Sequence, residues 1–143
     1  MTRFTAVRFV DTNVLLYAIS NNRREAPKTT IANEVLEAED LALSSQVLQE
    51  FYVQATRASR TDRLAHEGVM EFMESLVRYP LLRTTRGLVF AAVESCRHFR
   101  VSYWDAAIIE AARTLGCDVV LSEDLSHSQD YDGVRVENPF LSL

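Results

Sequence analysis

The feature that most constrains this chain is the alternation of short apolar runs with longer segments of helical periodicity. Val7–Val10, Leu41–Leu43, Leu81–Arg83, Asp118–Leu121 and Val134–Val136 are too short for helices and rich in β-branched or aliphatic residues. They read as five strands, the last at a sheet edge. A short helix is expected from Thr12 or Asn13 to about Ser20, then a polar loop, Asn21-Asn22-Arg23-Arg24. Pro27 suits the first turn of a second helix running to about Ala38. Ser44 or Ser45 can cap a third, with Val47, Leu48, Phe51, Tyr52 and Ala55 as its apolar stripe. Val69, Phe72, Met73, Leu76 and Val77 mark a fourth, and Thr85 to about Phe99 a fifth. A sixth starts near Tyr103 and ends at Gly116, a residue suited to the position after a C-cap. Strands alternating with helices predict an α/β fold, a mainly parallel sheet covered on both faces. Ligands in such sheets bind beyond the carboxyl ends of the strands.

A chain of 143 residues fits one domain spanning 1–143, and scarce Gly and Pro imply short loops. The net charge of -5 argues against gripping nucleic acid by basicity alone. Fourteen of the fifteen basic residues are Arg, with Lys28 the exception. Arg binds phosphate bidentately, although genome composition produces the same bias. No long apolar run follows a basic start, so no signal peptide is expected, and no run is long enough to span a bilayer. The expected location is the cytoplasm, with no membrane association. Cys96 and Cys117 form no CxxC pair and are expected to be reduced thiols packed as small apolar side chains.

Four carboxylates stand out. Asp11 directly follows the first strand, and Asp124 follows the fourth in Leu121-Ser122-Glu123-Asp124-Leu125. Glu50 lies near the start of the helix after the second strand, and Asp105 in the first turn of the sixth helix. Each also has a plain structural reading. Asp11 can cap a helix, and Ser102 with Asp105 fits a capping box. Glu50 shares a helix face with Gln46 and Gln54 and can be solvated, and Asp124 sits in an Asp-rich loop. Gathered at one end of a sheet, the four would repel one another. A hard divalent cation with oxygen ligands resolves that repulsion, as Mg²⁺ does beside substrate phosphates. Metal-assisted phosphodiester hydrolysis would follow. His66, His98 and His127 lack a ligand or nucleophile spacing, and no Gly-rich phosphate loop is present.

Four stretches in order carry a resemblance: Phe9-Val10-Asp11-Thr12-Asn13, Ser44 through Phe51, Tyr103-Trp104-Asp105-Ala106-Ala107, and Leu121-Ser122-Glu123-Asp124-Leu125, continuing to Gly133-Val134 and Asn138-Pro139-Phe140. Together they resemble the PIN domain, specifically VapC-type toxins of bacterial toxin–antitoxin pairs. The resemblance implies a three-layer αβα sandwich and an endoribonuclease that depends on Mg²⁺ or Mn²⁺. It implies Asp11, Glu50, Asp105 and Asp124 as the acidic quartet, with Asp11, Asp105 and Asp124 toward metal. Asn13 and Ser122 match polar positions that orient the acids or a water, and cap or turn roles stay open for both. Asp124 rather than its neighbour Glu123 fits the spacing, and Asp130 and Asp132 read as turn formers. Also implied are an RNA substrate, a homodimer, and a small antitoxin, often DNA-binding, that places a basic residue in the acidic site. The apolar third and fourth helices are the candidate dimer surface, although their residues suit a core equally.

Candidate RNA contacts are Arg23, Arg24, Arg57, Arg60 and Arg63. Arg57 stands seven residues after Glu50, hence on a similar helix face, and a solvated Arg is the alternative. Two rival functions remain. One is a non-catalytic PIN-like domain that binds RNA or protein, whose mark would be a lost acid, yet all four are here. The other is a phosphotransferase with Asp11 as nucleophile, as in the haloacid dehalogenase fold. That reading expects a second Asp where this chain has Asn13.

Overall fold

A computed structural model describes residues 8–60 and 64–142. Its strands are β1 (Arg8–Val10), β2 (Leu41–Ser44), β3 (Leu81–Leu82), β4 (Val119–Leu121), β5 (Asp130–Tyr131) and β6 (Val134–Glu137). Its helices are α1 (Thr12–Ala18), α2 (Ala26–Val35), α3 (Ser45–Ala55), α4 (His66–Ser75), α5 (Arg86–Phe99) and α6 (Tyr103–Thr114), with a 3₁₀ turn at Arg23–Glu25. The sheet order is β3-β2-β1-β4-β6-β5. All neighbours are parallel except β5 and β6. The chain winds outward from β1 to β3, then returns to lay β4 on the other side of β1. Right-handed crossovers therefore put α1–α4 on one face and α5 with α6 on the other. The crevice between β1 and β4, where the winding reverses, is where such sheets bind ligands.

The core explains the strand pattern. Phe9, Val10, Leu41, Leu43, Val120 and Val134 are fully or almost fully buried, and Val14, Leu15, Val47, Phe51, Val69 and Ile109 pack on them from the helices. Arg8 and Asp40 form a two-armed ion pair, at 2.9 and 2.8 Å, that ties the starts of β1 and β2. The chain leaves α6 as its glycine requires. Gly116 has φ of 77°, its N–H donates to Arg113, and the Cys117 N–H donates to the Ala112 carbonyl at 2.9 Å. These two bonds form a Schellman cap.

Several expectations shift. Val7 lies outside the described residues. The strand Val134–Glu137 is not at the edge, because the two-residue β5 pairs beside it. Arg113 of α6 holds that hairpin by donating to the Tyr131 and Asp132 carbonyls while it pairs with the Glu110 carboxylate. Asp130 and Asp132 serve the turn. The Asp130 carboxylate accepts from the Gly133 N–H at 2.7 Å, and Asp132 has φ of 53°. Helix α1 ends two residues early, its last carbonyls taken by Thr29 and Asn33 side chains of α2. Of the candidate dimer surface, Val47, Phe51, Ala55, Val69 and Leu76 are core, whereas Tyr52, Met70 and Val77 are exposed. His66 meets the Tyr52 hydroxyl, His98 approaches Asp132, and His127 accepts from the Asn138 N–H. Cys96 and Cys117 are both free thiols, the latter pushed up to about 11 by burial. No helix among the described residues is long and apolar enough to cross a membrane.

Candidate active site

Each proposed acid is delivered by the end of an element. Strand β1 runs straight into Asp11, which caps α1 by accepting from the Thr12 N–H at 2.8 Å. Ser44 ends β2 and caps α3, so Glu50 falls one and a half turns into that helix. Ser102 caps α6 by accepting from the Asp105 N–H at 3.1 Å, which starts the helix with Asp105 in its first turn. Ser122 and Asp124 follow β4. All four carboxylates line one cavity of about 300 Å³ at the carboxyl end of the sheet, beside the β1–β4 crevice.

A hydrogen-bonded frame holds three of them, Asp11, Asp124 and Glu50. The second oxygen of Asp11 accepts from the fully buried Ser122 hydroxyl at 2.8 Å and from Asn13 Nδ2 at 3.3 Å. The same Asn13 amide nitrogen lies 3.3 Å from Asp124 Oδ2, so one neutral donor separates two acids. Its amide oxygen accepts from the Glu123 N–H at 3.0 Å, which fixes the orientation of the amide. Ser122 Oγ also accepts from the N–H groups of Asp124 and Leu125, shaping the loop after β4. Glu50 is aimed by Thr12 Oγ1 at 3.2 Å and by Gln46 Nε2 at 3.3 Å.

Electrostatics sets the chemistry. Six carboxylates line the cavity, those of Asp11, Glu25, Glu50, Asp105, Glu123 and Asp124, against the single guanidinium of Arg60 among the lining residues. Burial pushes the Asp11 carboxyl up to about 6, and the charges of Asp124 and Glu50 add to the rise against bonds from Ser122 and Thr12. So negative a space would repel a phosphodiester, and a cation would offset that repulsion. The donors are all oxygen, which suits Mg²⁺ or Mn²⁺. Among the described residues no three acidic, His or Cys side chains converge closely enough to grip an ion directly.

A family model for the PIN domain matches residues 8–129. The chain belongs to the PIN domain family. Solved structures agree with that fold. A toxin–antitoxin complex from Klebsiella pneumoniae gives a TM-score of 0.65 at 18% identity, covering 93% of this chain and 98% of that one. DNA-bound VapBC from Salmonella typhimurium gives 0.65 at 20% identity, covering 94% and 99%. VapC20 of Mycobacterium tuberculosis, described as a sarcin-ricin loop cleaving toxin, gives 0.62 at 19% identity, covering 82% and 89%. A search of curated proteins finds no match.

Within this PIN domain the structure separates Glu123 from Asp124. Lys28 Nζ donates to Glu123 Oε2 at 2.5 Å, and the Tyr17 hydroxyl donates to Oε1. Burial alone would raise the Glu123 carboxyl, yet these bonds bring it below the usual range. Glu123 is thus satisfied by a cation of its own, while Asp124 faces the acids. The arginines divide as well. Arg60 lines the acid cavity, and Arg57 lines an adjoining groove with Glu50. The helical spacing argument for Arg57 fails because α3 ends at Ala55, with Thr56 as its C-cap. Arg23 and Arg24 are exposed in the 3₁₀ turn and line none of the cavities described, although their neighbour Glu25 does line the acid cavity. Arg63 lies outside the described residues. Sequence reasoning missed Glu25, Trp104 and the orienting role of Thr12. Only Gln46, one turn before Glu50, left a visible signal.

Replacing Ser122 by Ala is expected to destabilise the protein by about 2 kcal/mol in urea denaturation. It leaves two backbone N–H groups and the Asp11 carboxylate without their buried partner. A loss under about 0.5 kcal/mol would mean that Ser122 is not the hub of the frame.

Proposed function

We propose that this PIN domain is a Mg²⁺- or Mn²⁺-dependent endoribonuclease and the toxin of a toxin–antitoxin pair. The observation that carries the reading is the meeting of Asp11, Glu50, Asp105 and Asp124, from four separate elements, in one cavity at the switch point of the sheet. Asp11, Asp105 and Asp124 would hold the ion, directly or through water. When bound, the ion supplies a Lewis acid that makes water a better nucleophile and offsets charge on the phosphoryl oxygens. Glu50, aimed by Thr12 and Gln46, would accept a proton from the attacking water. Asn13 and Ser122 keep Asp11 and Asp124 apart and oriented. The alternative of a non-catalytic binding domain gives no reason to assemble four acids and brace three of them.

The partner follows from the same charge. A small antitoxin that inserts a basic side chain would compensate the acids as the metal does. The similarity to a toxin–antitoxin complex from Klebsiella pneumoniae and to DNA-bound VapBC from Salmonella typhimurium supports this reading. Association of two copies through exposed apolar residues such as Met70 and Val77 belongs to it too. So does a cytoplasmic location, where RNA is the available substrate.

Attack by water predicts a definite product. The antitoxin-free protein, given RNA and Mg²⁺, is expected to leave 5′-phosphate and 3′-hydroxyl ends. Ends bearing a 2′,3′-cyclic phosphate would mean that the ribose hydroxyl is the nucleophile, and the proposed role of the acids would be wrong. A short neighbouring reading frame for a DNA-binding protein would mark the toxin. Its absence would leave the nuclease without that label.

A further inference from the structure

Trp104 is the only tryptophan of the chain, and its side chain is not used by the acid frame. It sits in the first turn of α6, next to Asp105, and is 62% exposed. A large aromatic left this open beside a charged cavity costs apolar exposure, which a ligand would recover. Trp104 also lies at a junction. It lines the acid cavity and an adjoining groove of about 320 Å³, and Gln46, Glu50 and Gln54 are likewise common to both. The groove adds Val53, Gln49 and Arg57. Gln46 locks the junction, because its amide nitrogen lies 3.4 Å from the Trp104 carbonyl oxygen and donates to Glu50. The backbone of Trp104 is therefore tied to two of the four acids, to Glu50 through that amide and to Asp105 through the chain.

We infer that this groove is a subsite for one unpaired nucleobase of the RNA, stacked on Trp104 and flanking the phosphate that is cut. The inference rests on the ribonuclease reading. Each wall suits that occupant. Trp104 and Val53 provide apolar faces, and aromatic stacking accepts any base. The amides of Gln49 and Gln54 offer both donors and acceptors to base edges. Arg57, which lines the groove with Glu50 but not the acid cavity with its other carboxylates, suits the next phosphate. A base can stack there only when it is out of a duplex, so the subsite selects loops and single strands over paired RNA.

The single tryptophan makes the test direct. In Mg²⁺, a short 2′-O-methyl oligoadenylate, which resists cleavage, is titrated into the whole protein. An abasic chain of the same length serves as control. The base-bearing strand is expected to quench Trp104 emission and the abasic one is not. By anisotropy, Trp104→Ala is expected to weaken binding of the oligoadenylate about 10-fold, and Trp104→Phe to restore most of it. If the strand binds with Trp104 emission unchanged and equal affinity for the Ala variant, the base lies elsewhere. The inference is then overturned, while the ribonuclease reading stands so long as the wild-type protein cuts RNA. If Trp104→Ala turns a dimer into a monomer in light scattering yet binds RNA normally, Trp104 belongs to a protein interface, which also overturns it. If the protein neither binds the strand nor cuts RNA, both readings fall together.

Discussion

Asp11→Asn is expected to slow RNA cleavage roughly 100- to 1,000-fold and, at pH 7 without metal, to make the protein more stable. The two effects have one cause. Asp11 is only 8% exposed and faces Asp124 and Glu50, so its charge is costly until a cation arrives. The rise from 3.8 to about 6, at about 1.36 kcal/mol per pH unit, corresponds to roughly 3 kcal/mol of destabilisation in the ionised form. Asn removes the charge but keeps only one acceptor for Thr12, Ser122 and Asn13, which returns about 1 kcal/mol of that gain. The net expectation is a gain of about 1–2 kcal/mol in metal-free urea denaturation. Loss of stability would mean that Asp11 is held for structure rather than for a cation. The same substitution at Asp105, an acid less deeply buried than Asp11, is expected to reduce cleavage without that gain.

The second large effect is on pH. A carboxyl whose folded value is raised binds its proton more tightly in the folded state than in the unfolded chain. Folding is therefore favoured below the unfolded value of 3.8, and that contribution is lost as pH climbs through about 6. Metal-free protein is expected to lose about 3 kcal/mol from this group between those limits, then level off. Other acids such as Asp40 and Glu123, held below their usual range by Arg8 and by Lys28 with Tyr17, act in the opposite sense at lower pH. The Asp11 share is the difference between wild-type and Asp11→Asn curves across pH 4 to 7, and a flat difference would contradict the burial argument.

How much of this was legible follows from how local each feature is. Asp11 and Asp124 could be placed because Asp11 directly follows an apolar run and Asp124 comes three residues after another, and a strand end in a parallel sheet is where ligands gather. The caps at Ser44 and Ser102 and the glycine exit of α6 are local chemistry, and they stand where the sequence put them. Glu50 needed only the helix that Ser44 starts. Asp105 was harder. Its cap is local, but its arrival in the cavity depends on α6 packing over the sheet. The lock on Glu123 was invisible, because Lys28 lies 95 residues away and meets it only after α2 has docked. Strand β5 was missed because two residues carry no periodicity, and the helical spacing offered for Arg57 does not apply because α3 stops two residues before it, although Arg57 still lines a groove with Glu50. Trp104 looked like part of a motif, and its exposure beside a second groove is a property of the surface alone.

The most direct test of the acidic-centre account is the rate of RNA cleavage by purified, antitoxin-free protein on a structured and an unstructured RNA. It is measured in Mg²⁺, Mn²⁺ and EDTA, for the wild type and for single carboxamide replacements of Asp11, Glu50, Asp105 and Asp124. The account predicts cutting that requires a divalent ion, vanishes in EDTA and falls at least about 100-fold in each variant while all remain folded. Cutting that persists in EDTA, or survives loss of these acids, would contradict it.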